Sequence, residues 1–169
     1  MHGPFELDKH SSLTWKQLFR EQTRRYPGLS DAAGVYIIAT TNRTKDSICY
    51  IGMTHWQGFE AEAFSQRNVE LVWDVISEMR NRAIKIWLIA KRTPARKGFS
   101  WDSRIERQSF LLETLLIMHA KAAGHRLINT SKMKSAEGIA VEGLFGKRKR
   151  GRQSAGSTSL ASALGLLRS

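Results

Sequence analysis

Cysteine is almost absent from this chain: one residue, Cys49, in 169. A lone cysteine excludes an internal disulfide and a zinc cluster of thiolates. Its place inside a strand-like run predicts a small buried hydrophobe. No apolar run approaches the length of a membrane span, and residues Met1–His10 lack the apolar segment of a secretory signal. A cytoplasmic protein with no membrane partner is therefore expected, in which the sequons at Asn42 and Asn129 carry no glycan. There is no internal repeat, P-loop, dinucleotide fingerprint or zincin motif, so no small-molecule cofactor is expected. His119 and His125 have a spacing with no metal-ligand meaning on one helix. Acidic residues are scarce, 15 against 27 Lys and Arg, and the net charge of +12 points to a polyanionic partner. Charge alone separates neither DNA from RNA nor a binder from an enzyme.

What is present centres on Gly34–Thr54. Gly34-Val35-Tyr36-Ile37-Ile38-Ala39 and Ile48-Cys49-Tyr50-Ile51-Gly52 are β-branched and aromatic, and the polar run Thr41–Asp46 between them is turn-like. A β-hairpin is predicted. Period-two alternation puts Tyr36 with Gly34 and Ile38, and Tyr50 with Ile48 and Gly52. Two phenols would then converge beside two glycines, where a ligand backbone could approach closely.

Residues 1–10 read as irregular. An amphipathic helix follows from Ser12, with Leu13, Trp15, Leu18 and Phe19 at helical spacing and Pro27-Gly28 beyond its end. After the loop His55–Gly58 a second helix is expected, carrying Val69, Val72, Trp73, Ile76 and Arg80 on one face and Arg67 near its start. Ile84–Ala90 reads as a third strand, Arg92–Ser100 as an exposed basic loop, and Trp101 to about Ala123 as a long helix ended by Gly124. Leu127–Thr130 is a short extended piece. From Lys147 to Arg152 the chain turns basic, then rich in Gly and Ser, and reads as disordered, with Leu160–Leu167 able to form an apolar helix against a partner. The order predicts an α+β fold, a three-stranded antiparallel sheet flanked by helices. It divides into a helical extension over 1–32, a core over 33–135 and a basic flexible tail over 136–169.

Glu113 is a single carboxylate within the apolar run Phe110–Ile117. It needs either an ion-pair partner such as Arg107 or a wet cleft, where a carboxylate could hold a hard cation. Asn129 reads alone as a turn or capping residue, and Arg67 alone as a solvated helix arginine. Their joint order says more. Gly34-Val35-Tyr36, Tyr50-Ile51-Gly52, Arg67, Glu113 and Asn129 resemble the motif series of the GIY-YIG nuclease family, over about residues 33–130. Met53 stands where family members often carry Lys or a small residue, and the arginine comes late, leaving Arg80 as a rival to Arg67.

The resemblance implies a stand-alone, restriction-like endonuclease acting on DNA with one Mg²⁺ or Mn²⁺ on Glu113, and leaves a homodimer open. Arg67 would bind the phosphate, Tyr36 or Tyr50 would position or deprotonate water, and Asn129 would hold local geometry. His55 or Lys91 could replace the missing lysine. A phenol's ordinary pKa of about 10 must be depressed for a base role. The alternatives are a non-catalytic basic nucleic-acid-binding protein and an interaction protein recruiting a partner through Lys147–Ser169.

Overall fold

A computed structural model describes residues 1–42, 45–54, 56–78, 83–93, 98–100, 106–129 and 155–164. The strands are β1 (His2–Leu7), β2 (Gly34–Asn42), β3 (Lys45–Met53) and β4 (Ala83–Ala90). The helices are α1 (Trp15–Thr23), α2 (Phe59–Ala63), α3 (Gln66–Ser77), α4 (Glu106–Ala122) and α5 (Ala155–Ala163). The four strands form one antiparallel sheet in the order β1-β4-β2-β3.

The sheet thus has a fourth strand where a three-stranded one is expected, and the segment that reads as irregular supplies it. Phe5 and Leu7 alternate with Glu6 and are buried against β4, but Gly3 and Pro4 interrupt the pattern. Proline lacks the N–H that an inner strand donates on both sides, so Pro4 suits a strand at the sheet's edge.

Helices cover both faces. On one, Trp15 and Phe19 of α1, Phe59 of α2 and Val72 and Ile76 of α3 pack with Phe5, Leu7, Tyr36, Ile38, Ile84, Ile86 and Leu88. Edge-to-face pairs join Phe5 to Phe19 and Trp15 to Trp73, each worth about 0.5–1.5 kcal/mol beyond the area buried. On the other face, Leu112, Leu116, Ile117 and Ala120 of α4 pack with Leu160 of α5 against Val35, Ile37, Ile51, Trp87 and Ile89. Burial on both faces explains why β2 reads as an almost unbroken apolar run.

α5 corrects the expectation of a flexible tail over 136–169. Its Gly156 packs so closely on β1 that a Cβ would stand 2.5 Å from the carbonyl oxygen of Gly3. The short apolar helix expected to meet a partner is therefore part of the protein's own core. The rest of that basic tail, including Lys147–Arg152, lies outside the described residues, as do Trp101–Ser103.

Helix α4 stops where its sequence says. Gly124 adopts φ 83°, its N–H donates to Lys121 and that of His125 to Ala120, both at 2.9 Å. This glycine cap satisfies carbonyls the helix would leave open and turns the chain back along β3.

His2 packs edge-on against Tyr26 and Phe99. Burial first, then the amino terminus and Arg92, lowers its pKa to about 4. The folded protein then refuses a proton that the unfolded chain accepts below about 6.5. Its contribution is complete above pH 6.5 and is lost as pH falls through 4. Thermal melts from pH 7 to 4 should show the parent losing stability faster than His2→Phe; parallel curves would refute this.

Candidate active site

Tyr36 pairs with Gly52 and Ile38 with Tyr50, so the tyrosines are diagonal cross-strand neighbours on one face. Their rings stack with centroids 5.9 Å apart and planes at 23°. Gly52 allows this. A Cβ there would lie 2.6 Å from both Cζ and the hydroxyl oxygen of Tyr36 and 2.8 Å from Cε1 of Tyr50. The Tyr36 phenol lies across the glycine. At Gly34 a Cβ would meet the Ile89 carbonyl oxygen at 2.1 Å and the Phe59 ring at 2.9 Å. Both glycines are thus filled by the protein's own groups rather than left open for a ligand backbone.

Simple alternation fails beyond Tyr50. The β2–β3 register shifts between Ile38 and Ala39, which pairs with Ile48 and leaves Cys49 as the extra residue of a β-bulge. Cys49 and Tyr50 both face the α1–α3 side, while Ile48 faces α4 and α5. Burial pushes the Cys49 thiol up to about 12, consistent with the inert core role expected of it.

Asn68, in the first turn of α3, ties the phenols together. Its Nδ2 donates to the Tyr36 hydroxyl at 3.0 Å and to the Glu62 carbonyl at 2.8 Å. The Tyr50 hydroxyl donates to its Oδ1 at 3.3 Å. Sequence reasoning passes over this residue, although a partial signal exists. Asn is a poor helix former, and the cap is already supplied by Ser65, which accepts from the Asn68 backbone N–H at 3.4 Å.

Burial above all, then Tyr50 and the Glu62 and Glu113 carboxylates, moves the Tyr36 hydroxyl far above the ordinary phenol range. Tyr50 is also raised, chiefly by burial and by Glu113 and Glu62, against lowering contributions from Tyr36 and Arg67. These surroundings keep both phenols protonated near neutral pH, whereas a base role draws on a downward shift.

The same influences locate the charged candidates. The charge of Glu113, half-buried on α4, is felt at both phenols, and that of exposed Arg67 at Tyr50. Asn129 does not join the phenols. Its Oδ1 accepts from the Ile51 N–H at 3.2 Å and its Nδ2 donates to the Ile51 carbonyl, gripping β3 between Tyr50 and Gly52. Nearby, Ile128 N donates to the Cys49 carbonyl at 2.8 Å, and the Ile48 N–H donates to His125 Nδ1 at 3.3 Å. Met53 is buried on the α4–α5 face, so the position after Gly52 does not address the phenols. Arg80 and His55 lie outside the described residues.

No family model, no curated protein and no solved structure matches this chain. The reading of the site therefore stands on its own residues.

Among the described residues no group of three or more His, Cys, Asp or Glu side chains could hold a metal ion. The donors beside the phenols are the carboxylates of Glu113 and Glu62. Such a sparse, all-oxygen set fits a Mg²⁺-like cation, which keeps several waters and takes substrate phosphate as a further ligand. It does not fit zinc, which wants nitrogen or sulfur donors in a closed shell.

Proposed function

We propose that this protein is a metal-dependent endonuclease of the GIY-YIG type that hydrolyses DNA phosphodiester bonds. The observation that carries the reading is electrostatic: among residues distant in sequence, Glu113 on α4 acts on the hydroxyls of both stacked tyrosines, Tyr36 and Tyr50, and Arg67 on α3 acts on that of Tyr50. Composition adds the partner, since +12 net charge favours a polyanion.

In this reading Glu113 would hold a divalent cation, which would supply Lewis acidity at the phosphate. Arg67 is solvent-exposed, and its guanidinium donates charge-assisted hydrogen bonds to phosphate oxygens. Tyr50, the less buried phenol, accepts a hydrogen bond from the attacking water. The water oxygen bonds to phosphorus and the bond from phosphorus to the 3′ oxygen breaks. The proton the water loses passes to solvent, and the 3′ oxygen takes one from solvent to leave as a hydroxyl. Asn129 keeps β3 in place through Ile51.

Supercoiled plasmid incubated with the protein should be nicked in Mg²⁺ and intact in EDTA. A second reading, a basic nucleic-acid-binding protein without catalysis, is favoured by the upward shift of both phenols. Salt-sensitive retention of DNA with no nicking in Mg²⁺ or Mn²⁺ would select it and reject the nuclease.

A further inference from the structure

Asn68 has hydrogen-bonding obligations that none of the roles above uses. The Glu62 carbonyl can only accept, so the amide atom 2.8 Å from it must be Nδ2. With that orientation fixed, the second Nδ2 proton goes to the Tyr36 oxygen at 3.0 Å, and Oδ1 faces the Tyr50 hydroxyl at 3.3 Å. Tyr36 cannot return its own proton to a group that is donating to it. The two rings stack beside each other under this amide, their centroids 5.9 Å apart.

We propose that Asn68 is a positioning residue that holds both phenols and takes the Tyr50 proton on its Oδ1, so that Tyr50 meets the reacting water solely as an acceptor. Each phenol oxygen has one proton and two lone pairs. Tyr36 spends one lone pair on the Asn68 amide. Tyr50 spends its proton on Asn68 and keeps its lone pairs. Tyr36 is 1% exposed and Tyr50 9%, so the lone pair that solvent or substrate can reach belongs to Tyr50. A water donating into it keeps its own lone pairs for phosphorus. Without the Asn68 amide the Tyr50 proton would be released toward solvent, where it would compete as a donor for the water or for phosphate oxygens.

The kinetic part rests on the nuclease reading; the hydrogen bond from Tyr50 to Asn68 does not. The protein labelled with ¹³C in its tyrosine rings can be observed by NMR in water near neutral pH, following hydroxyl protons through their coupling to ring carbons. The parent should show a slowly exchanging hydroxyl proton for Tyr50. Tyr36→Phe should keep the Tyr50 signal, because its acceptor is Asn68. Asn68→Leu should lose that signal to exchange and lower kcat on plasmid about tenfold or more, with KM within about twofold. A Tyr50 signal that disappears in Tyr36→Phe, or survives in a folded Asn68→Leu, overturns the proposal. The Tyr36→Phe arm decides even if Asn68→Leu fails to fold. A parent that never nicks DNA rejects the nuclease reading alone, since the Tyr50 signal still reports on Asn68.

Discussion

Glu113→Gln should abolish the proposed Mg²⁺-dependent nicking and leave DNA binding in place. The expected fall in rate is at least about 100-fold. Several kcal/mol of charge stabilisation go with the cation, and each 1.4 kcal/mol is a factor of ten. Gln keeps the shape and polarity of the side chain, and the α4 residues that face the core, Leu112, Leu116 and Ile117, are untouched. The melting temperature should therefore move by only a few degrees. DNA retention on a filter should stay within a few-fold of the parent, because losing one of 15 acidic residues moves the net charge only from +12 to 27 − 14 = +13. A variant that nicks plasmid at the parental rate in Mg²⁺ would mean that Glu113 holds no catalytic ion.

Gly52→Ala damages fold and site together. The new methyl would overlap Cζ and the hydroxyl of Tyr36 at 2.6 Å. Those atoms end a ring that is 1% exposed and cannot swing away. Overpacking of this kind costs about 1–3 kcal/mol, seen as a melting temperature lower by several degrees in a domain of this size. Displacing Tyr36 also breaks its bond to Asn68, so activity should drop by more than the loss of folded protein accounts for. Gly98→Ala is the control, because a methyl there meets nothing within 4 Å. Equal stability of the two variants, measured by thermal and denaturant unfolding, would contradict the packing described for Gly52.

Much of the framework can be read from the chain because local patterns dictate it. The strands at Gly34–Asn42 and Ala83–Ala90 are β-branched, and α3 and α4 carry apolar stripes between capping signals at Ser65 and Gly124. What cannot be read depends on contacts distant in sequence. β1 is stabilised by β4, across about half the chain, and Pro4 hides it from any propensity argument. α5 is weakly amphipathic, a run of Ala, Gly and Ser whose helix is held by docking on β1 and the α4 face. The bulge at Cys49 defeats period-two counting, since one extra residue turns Ile48 to the opposite face. In the site, the pairing of Tyr36 with Gly52 also depends on that bulge, because counting from the turn pair Asn42–Lys45 without it sets Tyr36 opposite Ile51. Asn68 does not, because its importance comes from the Glu62 carbonyl and two strands that fold against it.

The segment His125–Asn129 runs along the outer side of β3, spending its hydrogen bonds on Ile48, Cys49 and Ile51. A bare margin there would invite another chain to extend the sheet, the usual route to runaway association. With these positions taken, two copies cannot continue the ladder over Ile48–Ile51 of β3. Any pairing of two copies is left to the sheet's other margin, β1, or to surfaces built from side chains.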